Sequence, residues 1–284
     1  MTALAKKKIV TFLVITLGIS MLFYVPIIRA GTLDIAGGLL VLGLMWAPGI
    51  AGMATQLIYE HTLRGMGWRF GPFKYLLIAF LLPLLYCLIV YGITWTSQLG
   101  GFPNPEMMSA IQERWGGMTT SPVLQIMITV VLTILLGLPA GLLSGMGEEI
   151  GWRGVLVPEL AKVMSFGKVA LTSGVIWILW HFPLLFFADY NMAGAPKWYA
   201  GLMFAVMVLG ISFAFAWLRL KSKSIWPAAI LHASHNLFVQ VIFTPLTIKT
   251  AITPYIIDEF GIGLALMGVL VALVFWQKGK KLGA

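Results

Sequence analysis

Residues 147–154 read Gly-Glu-Glu-Ile-Gly-Trp-Arg-Gly and directly follow a hydrophobic run that begins near Pro122. Such a run is long enough to cross a bilayer as a helix, which takes about 20 apolar residues. Only 10 % of the chain is charged, so two adjacent glutamates and an arginine attached to this run need an explanation. Ionisable groups at membrane depth are costly and usually functional. The stretch therefore indicates a membrane helix that carries a functional site.

The composition supports the same fold class. Of the 284 residues, 60 % are hydrophobic, and the mean hydropathy is +0.93. A soluble domain is nearer half apolar and about a quarter charged. The hydrophobic runs are long and continuous, whereas a membrane barrel would show short segments of alternating polarity. The sequence predicts an all-α polytopic membrane protein, which we interpret as one membrane-embedded domain over residues 1–284.

Eight hydrophobic runs predict about eight transmembrane helices. The fourth begins near Pro122 and reaches the Glu148-Glu149 pair, and the approximate bounds of the others are 9–28, 33–59, 75–95, 169–187, 198–218, 225–246 and 256–276. We also expect a short interfacial helix over residues 106–115 and an amphipathic helical continuation over residues 152–163. A turn is expected over residues 189–197.

The lysines and arginines assign a side of the membrane to each loop. With eight helices, both termini and the loops after the second, fourth and sixth helices lie on one side. Of the 19 Lys and Arg residues, only Arg29, Arg114, Lys197 and Lys249 fall on the other side. Because positive residues are enriched on the cytoplasmic side, both termini are predicted to be cytoplasmic, in the plasma (inner) membrane of a prokaryote. This bias also accounts for the net charge of +9, and no nucleic-acid partner is expected.

Two further polar stretches interrupt later hydrophobic runs. Residues 177–181 read Trp-Ile-Leu-Trp-His, and residues 231–236 read Leu-His-Ala-Ser-His-Asn. His181 lies about a dozen residues into its predicted helix, close to the middle of the bilayer by the rise per residue. A histidine at that depth needs a partner within the helix bundle.

Helical spacing suggests different roles for the charged residues. Residues four apart share a face of a helix, so Glu149 is expected to pair with Arg153. Glu148 lies about 100° around the helix and points elsewhere. His232 and His235, three apart, can converge with Asn236 on one face in the same way.

Each polar stretch taken alone also has a purely structural explanation. The glutamates could be solvated at a helix end, and the histidines and asparagine could be hydrogen-bonding residues between helices. Three such stretches on consecutive helices are better explained by one shared polar cavity, which we predict to open towards the cytoplasm. A carboxylate, histidines and an amide suit hydrolysis, in which one group activates water and the others stabilise an oxyanion.

In this order, the three motifs resemble those of the CPBP family. This family contains the CAAX proteases and the bacteriocin-processing or immunity proteins, and is also called the abortive-infection family. The matching motifs are Glu148-Glu149-x-x-x-Arg153, Trp177-x-x-x-His181 and His232-x-x-x-Asn236. The resemblance covers residues 141–238, which we expect to form the catalytic core. One departure is Trp177, where the family usually has phenylalanine.

The resemblance implies an intramembrane glutamic endopeptidase with an eight-helix core and no cofactor. Glu148 would activate the hydrolytic water with the help of His181, and His232 and Asn236 would form the oxyanion hole. Supporting roles would fall to Glu149, Arg153, Trp177 and His235. The CAAX branch of the family removes the last three residues after a prenylated cysteine. The implied partners are therefore a prenylated or otherwise membrane-associated peptide and the lipid around it.

Three alternatives remain open at this stage. Glu148, His181 and His232 could bind zinc, although the chain has no His-Glu-x-x-His motif. Buried Glu, His and Arg also mark proton paths, so a proton-coupled transporter is possible, although no internal repeat is visible. A non-catalytic immunity or binding scaffold would share the fold, but every expected motif residue is present here, which favours the protease.

Overall fold

The structure, a computed structural model, describes residues 2–115, 121–190 and 194–282. Over these residues the chain forms ten α-helices and no named strand. They are α1 (Thr2–Ala30), α2 (Leu39–Glu60), α3 (Phe73–Thr96), α4 (Pro105–Trp115), α5 (Pro122–Gly151), α6 (Val157–Ala161), α7 (Phe166–Phe187), α8 (Lys197–Ser222), α9 (Trp226–Asn236) and α10 (Ile262–Gly279). Two π-helical turns follow α5 and α9, at Trp152–Leu156 and Leu237–Phe243.

Seven of the described helical segments are long and apolar enough to cross a membrane. They are α1, α2, α3, the continuous segment Pro122–Ala161, α7, α8 and the segment Ile262–Leu282. The predicted all-α polytopic class is therefore confirmed. The remaining predicted helix, over 225–246, corresponds to α9 and its π-helical turn, which together reach from Trp226 to Phe243. The count of eight and the orientation of the termini stay predictions, as does the single-domain organisation.

The shorter predicted elements also form. The interfacial helix expected over 106–115 is α4, and the continuation expected over 152–163 is the first π-helical turn followed by α6. Residues 116–120 of the loop after α4 and residues 191–193 of the predicted turn lie outside the described residues.

The helix ends define two opposite faces of the bundle. The lysine-rich face comprises the start of α1, the end of α10 and the loops at 61–72, 162–165 and 223–225, and there Lys8 pairs with Glu60 and Glu159. The acidic face comprises the loops at 31–38, 97–104, 188–196 and 244–261, together with α4. Loops of this face bond to one another, because Gly101 and Ile248 exchange two backbone hydrogen bonds. Six of the ten acidic residues lie on it: Asp34, Glu106, Glu113, Asp189, Asp258 and Glu259.

Close helix contacts hold the Glu-Glu pair in place. A Cβ atom added to Gly147 would lie 2.8 Å from the Met45 carbonyl oxygen of α2, and one added to Gly145 would lie 3.2 Å from the His232 ring of α9. Small residues allow the backbones of membrane helices to approach closely. Because α2 and α9 pack so tightly on this part of α5, the position of Glu148 relative to His232 is fixed.

Both π-helical turns lie next to the sequence motifs. The first begins three residues after Glu149 and contains Arg153, and the second begins directly after Asn236. Such turns are rare and often occur at functional sites. Their positions give the first structural indication that the motifs form a site.

Candidate active site

The three motifs meet around one cavity of about 210 Å³. The predicted site residues that line it are Glu148, Trp177, His181, His232, His235 and Asn236. The other two, Glu149 and Arg153, are buried behind this wall, at 0 % and 1 % exposure. Apolar side chains of α2 and α8 complete the lining. The structure therefore brings together residues from three separate helices that sequence spacing alone could not connect.

Glu148 is held by two tryptophan side chains. Its Oε2 atom accepts hydrogen bonds from the indole nitrogens of Trp177 at 2.7 Å and Trp152 at 3.3 Å. Its Oε1 atom lies 3.9 Å from Nε2 of His232, a gap in which a bridging water is the usual connection. One carboxylate oxygen is thus fixed by donors, while the other points towards the histidine.

Glu149 is the centre of a buried ion cluster. Its Oε1 atom accepts from Nη1 of Arg153 and from Nδ1 of His232, both at 2.9 Å. The Arg153 guanidinium lies between two rings, with its carbon 4.0 Å from the centroid of Phe215 and 4.3 Å from that of Trp177. Cation–π contacts of this kind strengthen when water is excluded. The predicted pairing of Glu149 with Arg153 forms as expected, and Glu149 additionally orients His232.

His181 has a defined hydrogen-bonding pattern. Its Nδ1 atom lies 2.9 Å from the Trp177 carbonyl oxygen, and because a carbonyl only accepts, Nδ1 carries the proton. In the neutral ring, Nε2 is then a hydrogen-bond acceptor. The ring of Tyr190 stacks over His181, with centroids 5.8 Å apart. The histidine is therefore held in one tautomer on the cavity wall.

The last two motif residues differ in their surroundings. Asn236 lies one turn after His232 and lines the same cavity. His235 also lines the cavity, but it bonds to Tyr86 through Nδ1 and lies 3.1 Å from Oε1 of Glu259 through Nε2. His235 therefore belongs to a second polar cluster beside the one formed by Glu148 and Glu149.

Glu259 is a site residue that the sequence reasoning missed. It is 3 % exposed, lines the cavity, and accepts hydrogen bonds from Gln240 at 2.7 Å and from Tyr190 at 3.2 Å. A signal was present in the sequence, because Asp258-Glu259 is an acidic pair beside the last hydrophobic run, as Glu148-Glu149 is beside an earlier one.

The two acids of this second pair differ in their electrostatics. Burial opposes the ionisation of Glu259, but the hydrogen bond and charge of His235 outweigh burial, so the pKa of Glu259 is lowered from its usual value. Burial, and then the Glu259 charge, raise the pKa of Asp258 to about 6. The pair thus carries between one and two negative charges near neutral pH, depending on Asp258.

The cavity extends towards the acidic face of the bundle, and the side of the membrane on which it opens stays a prediction. The loop residues that line it are Leu33, Tyr190 and Glu259, and all three belong to the acidic face rather than to the lysine-rich face. The sequence placed Glu148 at the end of the fourth membrane helix and predicted only an amphipathic continuation over residues 152–163. In the structure the helical path continues past Glu148 to Ala161, 13 residues or about 20 Å farther at 1.5 Å per residue. The carboxylate therefore lies deep in the bundle, and its cavity widens towards the opposite face.

The alternative of a metal site finds no matching geometry. A catalytic zinc ion needs three convergent protein ligands. Within residues 2–115, 121–190 and 194–282, no three His, Cys, Asp or Glu side chains form a group that could hold a metal ion. Glu148, His181 and His232 line one cavity but do not form such a ligand set. A function without a cofactor stays a prediction.

Comparison with known proteins gives two matches. Residues 107–238 match the family model described as "Type II CAAX prenyl endopeptidase Rce1-like". A curated protein named CAAX prenyl protease 2, from Methanococcus maripaludis, is 38 % identical over 100 residues, which make up 34 % of this chain and 36 % of the relative. The chain thus aligns with about a third of the length of that relative. The matched region contains all eight predicted site residues and starts earlier than the motifs alone indicate. Over residues 107–238 the chain is therefore similar to the type II CAAX prenyl endopeptidases, and the resemblance indicated by the three motifs is confirmed.

Proposed function

We propose that this protein is an intramembrane endopeptidase that hydrolyses a peptide bond with a water molecule activated by Glu148. The observation that carries the proposal is the Glu148 carboxylate, which is buried, oriented by two indoles and directed towards His232 in a cavity that also presents His181 and Asn236. A carboxylate held in this way suits the task of a general base.

Glu148 and His181 act on the water. Oε1 of Glu148 accepts a proton from the water as its oxygen attacks the substrate carbonyl carbon. Because Nδ1 of His181 donates to the Trp177 carbonyl, Nε2 is available to accept a second hydrogen bond from the water and orient it. When the carbon–nitrogen bond breaks, the proton held by Glu148 passes to the leaving amine, so no proton is gained or lost over the cycle.

His232 and Asn236 stabilise the oxyanion that forms during this attack. Donation from Nε2 of His232 requires protons on both ring nitrogens, because Nδ1 already bonds to Glu149. The charges favour this state, since Glu148 and Glu149 are then balanced by Arg153 and a cationic His232. Preorganised donors in a site without bulk water are among the largest contributions to catalysis.

The substrate proposed from the comparisons is a prenylated CAAX-type C-terminus or a related membrane-associated peptide. The match to the Rce1-like family model and the name of the archaeal relative support this choice. The membrane location supports it as well. The lipid of such a peptide inserts into the bilayer, and this brings the nearby scissile bond to the membrane-embedded site. We place the protein in the plasma membrane of a prokaryote, with membrane lipid as a partner and no nucleic-acid partner.

The test uses purified protein and two fluorogenic CAAX peptides, one farnesylated and one without the lipid. Wild type, Glu148→Gln and the matched control Glu113→Gln, an exposed acid of α4, are assayed with and without a chelator. We expect cleavage by the wild type and the control, loss of cleavage in Glu148→Gln, and no effect of the chelator.

Two results would contradict the proposal. If the chelator abolishes cleavage and added zinc restores it, the site residues are metal ligands. A folded wild type that cleaves neither peptide would favour the non-catalytic scaffold or the proton-coupled transporter.

A further inference from the structure

An apolar groove runs along the outside of the bundle between α1 and α7. This α1–α7 groove has a volume of about 610 Å³ and follows α1 from Leu13 to Arg29, a length of about 24 Å at 1.5 Å per residue. Its rim is formed by apolar side chains that are more than half exposed: Leu17, Met21, Leu179 and Phe187. Both helices are long and apolar enough to cross a membrane. The occupant that matches such a groove is therefore a hydrocarbon chain rather than water.

The floor of the α1–α7 groove is formed by two tryptophans that also contact active-site residues. Trp152, 2 % exposed, donates to Glu148 at 3.3 Å. Trp180, 6 % exposed, packs edge-on against His181, with ring centroids 4.9 Å apart. The two indoles also contact each other, with ring centroids 5.8 Å apart. A chain that fills the groove therefore packs against the rings beside the proposed general base and the proposed water-orienting histidine.

Trp180 separates the groove from the active-site cavity, because it lines both. Its indole donates to Oγ of Ser20 at 2.9 Å, and its carbonyl accepts from the Tyr24 hydroxyl. Both partners belong to α1, so this wall is held from the side of the groove. The lipid of the proposed substrate is attached beside the scissile bond and starts on the other side of the wall. A lipid of the surrounding membrane reaches the groove directly.

A positive charge lies at one end of the groove. Arg29 is in the last turn of α1 and lines the groove. It forms no ion pair with a carboxylate in the part of the chain that the structure describes. Arginine binds phosphate oxygens through two N–H donors at once, and basic residues beside membrane helices bind lipid headgroups. An acyl chain that starts at Arg29 crosses half of the hydrocarbon core, about 15 Å, which the length of the groove accommodates.

We infer that the α1–α7 groove is a binding site for an anionic phospholipid, whose phosphate pairs with Arg29 and whose acyl chain packs on Trp180 and Trp152. The bound lipid holds the two indoles against His181 and Glu148 and so supports cleavage. The inference rests on the proposed function only for this effect on cleavage, since binding of the lipid does not depend on it.

The first experiment measures lipid binding without relying on activity. Delipidated full-length protein in detergent is titrated with phosphatidylglycerol, phosphatidylcholine or diacylglycerol, and bound lipid is counted by native mass spectrometry. Met21→Trp fills the groove, with Leu179→Trp as a second filling variant if the first does not fold, and Arg29→Gln removes the cation. The matched controls are Leu266→Trp, at a 58 % exposed position of α10, and Arg69→Gln, at an exposed position of the lysine-rich face.

We expect the wild type to bind phosphatidylglycerol most tightly and diacylglycerol least. Arg29→Gln should weaken the binding of phosphatidylglycerol about 10-fold, the loss for one hydrogen bond to a charged group. Met21→Trp should weaken it at least as much, and both controls should bind like the wild type. Equal affinity of Met21→Trp and the wild type would overturn the groove as the site. Equal affinity for diacylglycerol and phosphatidylglycerol would overturn the pairing of phosphate with Arg29.

The second experiment tests whether the groove instead holds the lipid of the substrate. A farnesylated CAAX peptide is added to the Glu148→Gln variant loaded with phosphatidylglycerol. We expect native mass spectrometry to show the peptide and the phospholipid bound together. Displacement of the phospholipid by the peptide would overturn the inference and assign the groove to the substrate.

The third experiment measures the effect of the lipid on cleavage. Turnover of the farnesylated peptide by delipidated wild type and by Leu266→Trp should rise several-fold when phosphatidylglycerol is added, whereas Met21→Trp should not respond. An unchanged rate with the lipid bound would overturn its role in supporting the active site. Absence of cleavage at every lipid concentration would instead contradict the proposed function, and the binding measurements would then decide the lipid site alone.

Discussion

Trp177 donates its indole N–H to the carboxylate of Glu148, 29 positions earlier in the chain, at 2.7 Å. The same tryptophan offers its ring to the Arg153 guanidinium and its carbonyl to His181. One side chain thus contacts the proposed base and the arginine, while its backbone fixes the histidine tautomer.

Replacing Trp177 by phenylalanine tests that hydrogen bond. Trp177→Phe removes the N–H donor but keeps an aromatic ring beside Arg153 and the backbone carbonyl for His181. A hydrogen bond to a charged group contributes about 1.5–3 kcal/mol, so we expect turnover to fall on the order of 10-fold or more, with the melting temperature little changed. Trp152→Phe is the matched control and should lower turnover less, since its donor lies 3.3 Å from Glu148. Equal activity of Trp177→Phe and wild type would remove the indole from the mechanism.

Asn236 tests the proposed oxyanion hole. Asn236→Ala should lower kcat by roughly 10²–10³, the usual loss for one such donor, with little effect on KM. Asn236→Asp, which keeps the size but loses the N–H donors, should lose activity similarly. An aspartate variant with wild-type kcat would refute donation by Asn236.

The pairing of Arg153 with Glu149 makes a prediction about stability. Arg153→Met keeps much of the volume between Trp177 and Phe215 but leaves Glu149 without its arginine. Removing one partner of a buried ion pair costs about 3–5 kcal/mol, so the melting temperature in detergent should fall markedly. The double variant Glu149→Gln/Arg153→Met should recover part of that loss, because it removes the uncompensated charge. If the single and double variants have the same melting temperature as the wild type, the pair does not stabilise the fold.

Glu259 is predicted to hold the side chains at the entrance of the cavity in place for substrate binding. Glu259→Gln keeps the shape but removes the charge that faces His235 and replaces one of the two oxygens that accept from Gln240 and Tyr190 with a donating NH₂ group. We expect KM to rise several-fold more than kcat falls, because the change lies at the substrate entrance. Glu106→Gln, in α4 on the acidic face and outside this cluster, is the control. A loss confined to kcat would instead assign Glu259 to the chemical step.

The raised pKa of Asp258, about 6, predicts a pH dependence of stability. The folded protein holds this proton up to about pH 6, whereas an ordinary aspartate has lost it above about pH 4. The folded state therefore binds more protons between these values, and its stability falls as pH rises through this window. The melting temperature should decline from about pH 4 to pH 6, and Asp258→Asn should reduce that decline.

Wild type and Asp258→Asn must be compared, because other charged residues also act on the Asp258 carboxyl group. Glu259, His235 and Lys249 all act on Asp258. All three residues are present in both the wild type and Asp258→Asn, so a difference between the two pH profiles comes from Asp258. Identical pH profiles for wild type and Asp258→Asn would contradict the assignment.

Part of this site could be predicted from sequence because helical spacing is local. Four-residue spacing was enough to pair Glu149 with Arg153 and to separate Glu148 from them, and the structure has both features. The bond from His232 to Glu149 joins residues 83 positions apart, and no spacing rule connects separate helices. Only the order of the three motifs indicated that they meet.

The position of the site along the membrane could not be predicted, for a physical reason. The helical continuation over residues 152–163 was predicted, but as an amphipathic segment, because hydrophobicity does not show that a helix beyond a polar pair still belongs to the membrane span. The path through Trp152–Leu156 to Ala161 moved Glu148 inwards. Glu259 was missed because it approaches the site from a loop, and its contact with His235 depends on how residues 244–261 fold back over the helices.

The π-helical turn Trp152–Leu156 has a consequence for how this chain tolerates changes in length. A π-helical turn contains about one residue more than an α-helical turn, and each residue of an α-helix advances the direction of the next side chain by about 100°. The extra residue sets the rotational phase of α6 so that Glu159 meets Lys8 of α1 at 3.3 Å. Deleting one residue here would shorten the helix by little, yet it would turn Glu159 away from Lys8 while Glu148 kept its place. The π-helical turn thus lets the direction of Glu148 in α5 and the direction of Glu159 in α6 be set independently of each other.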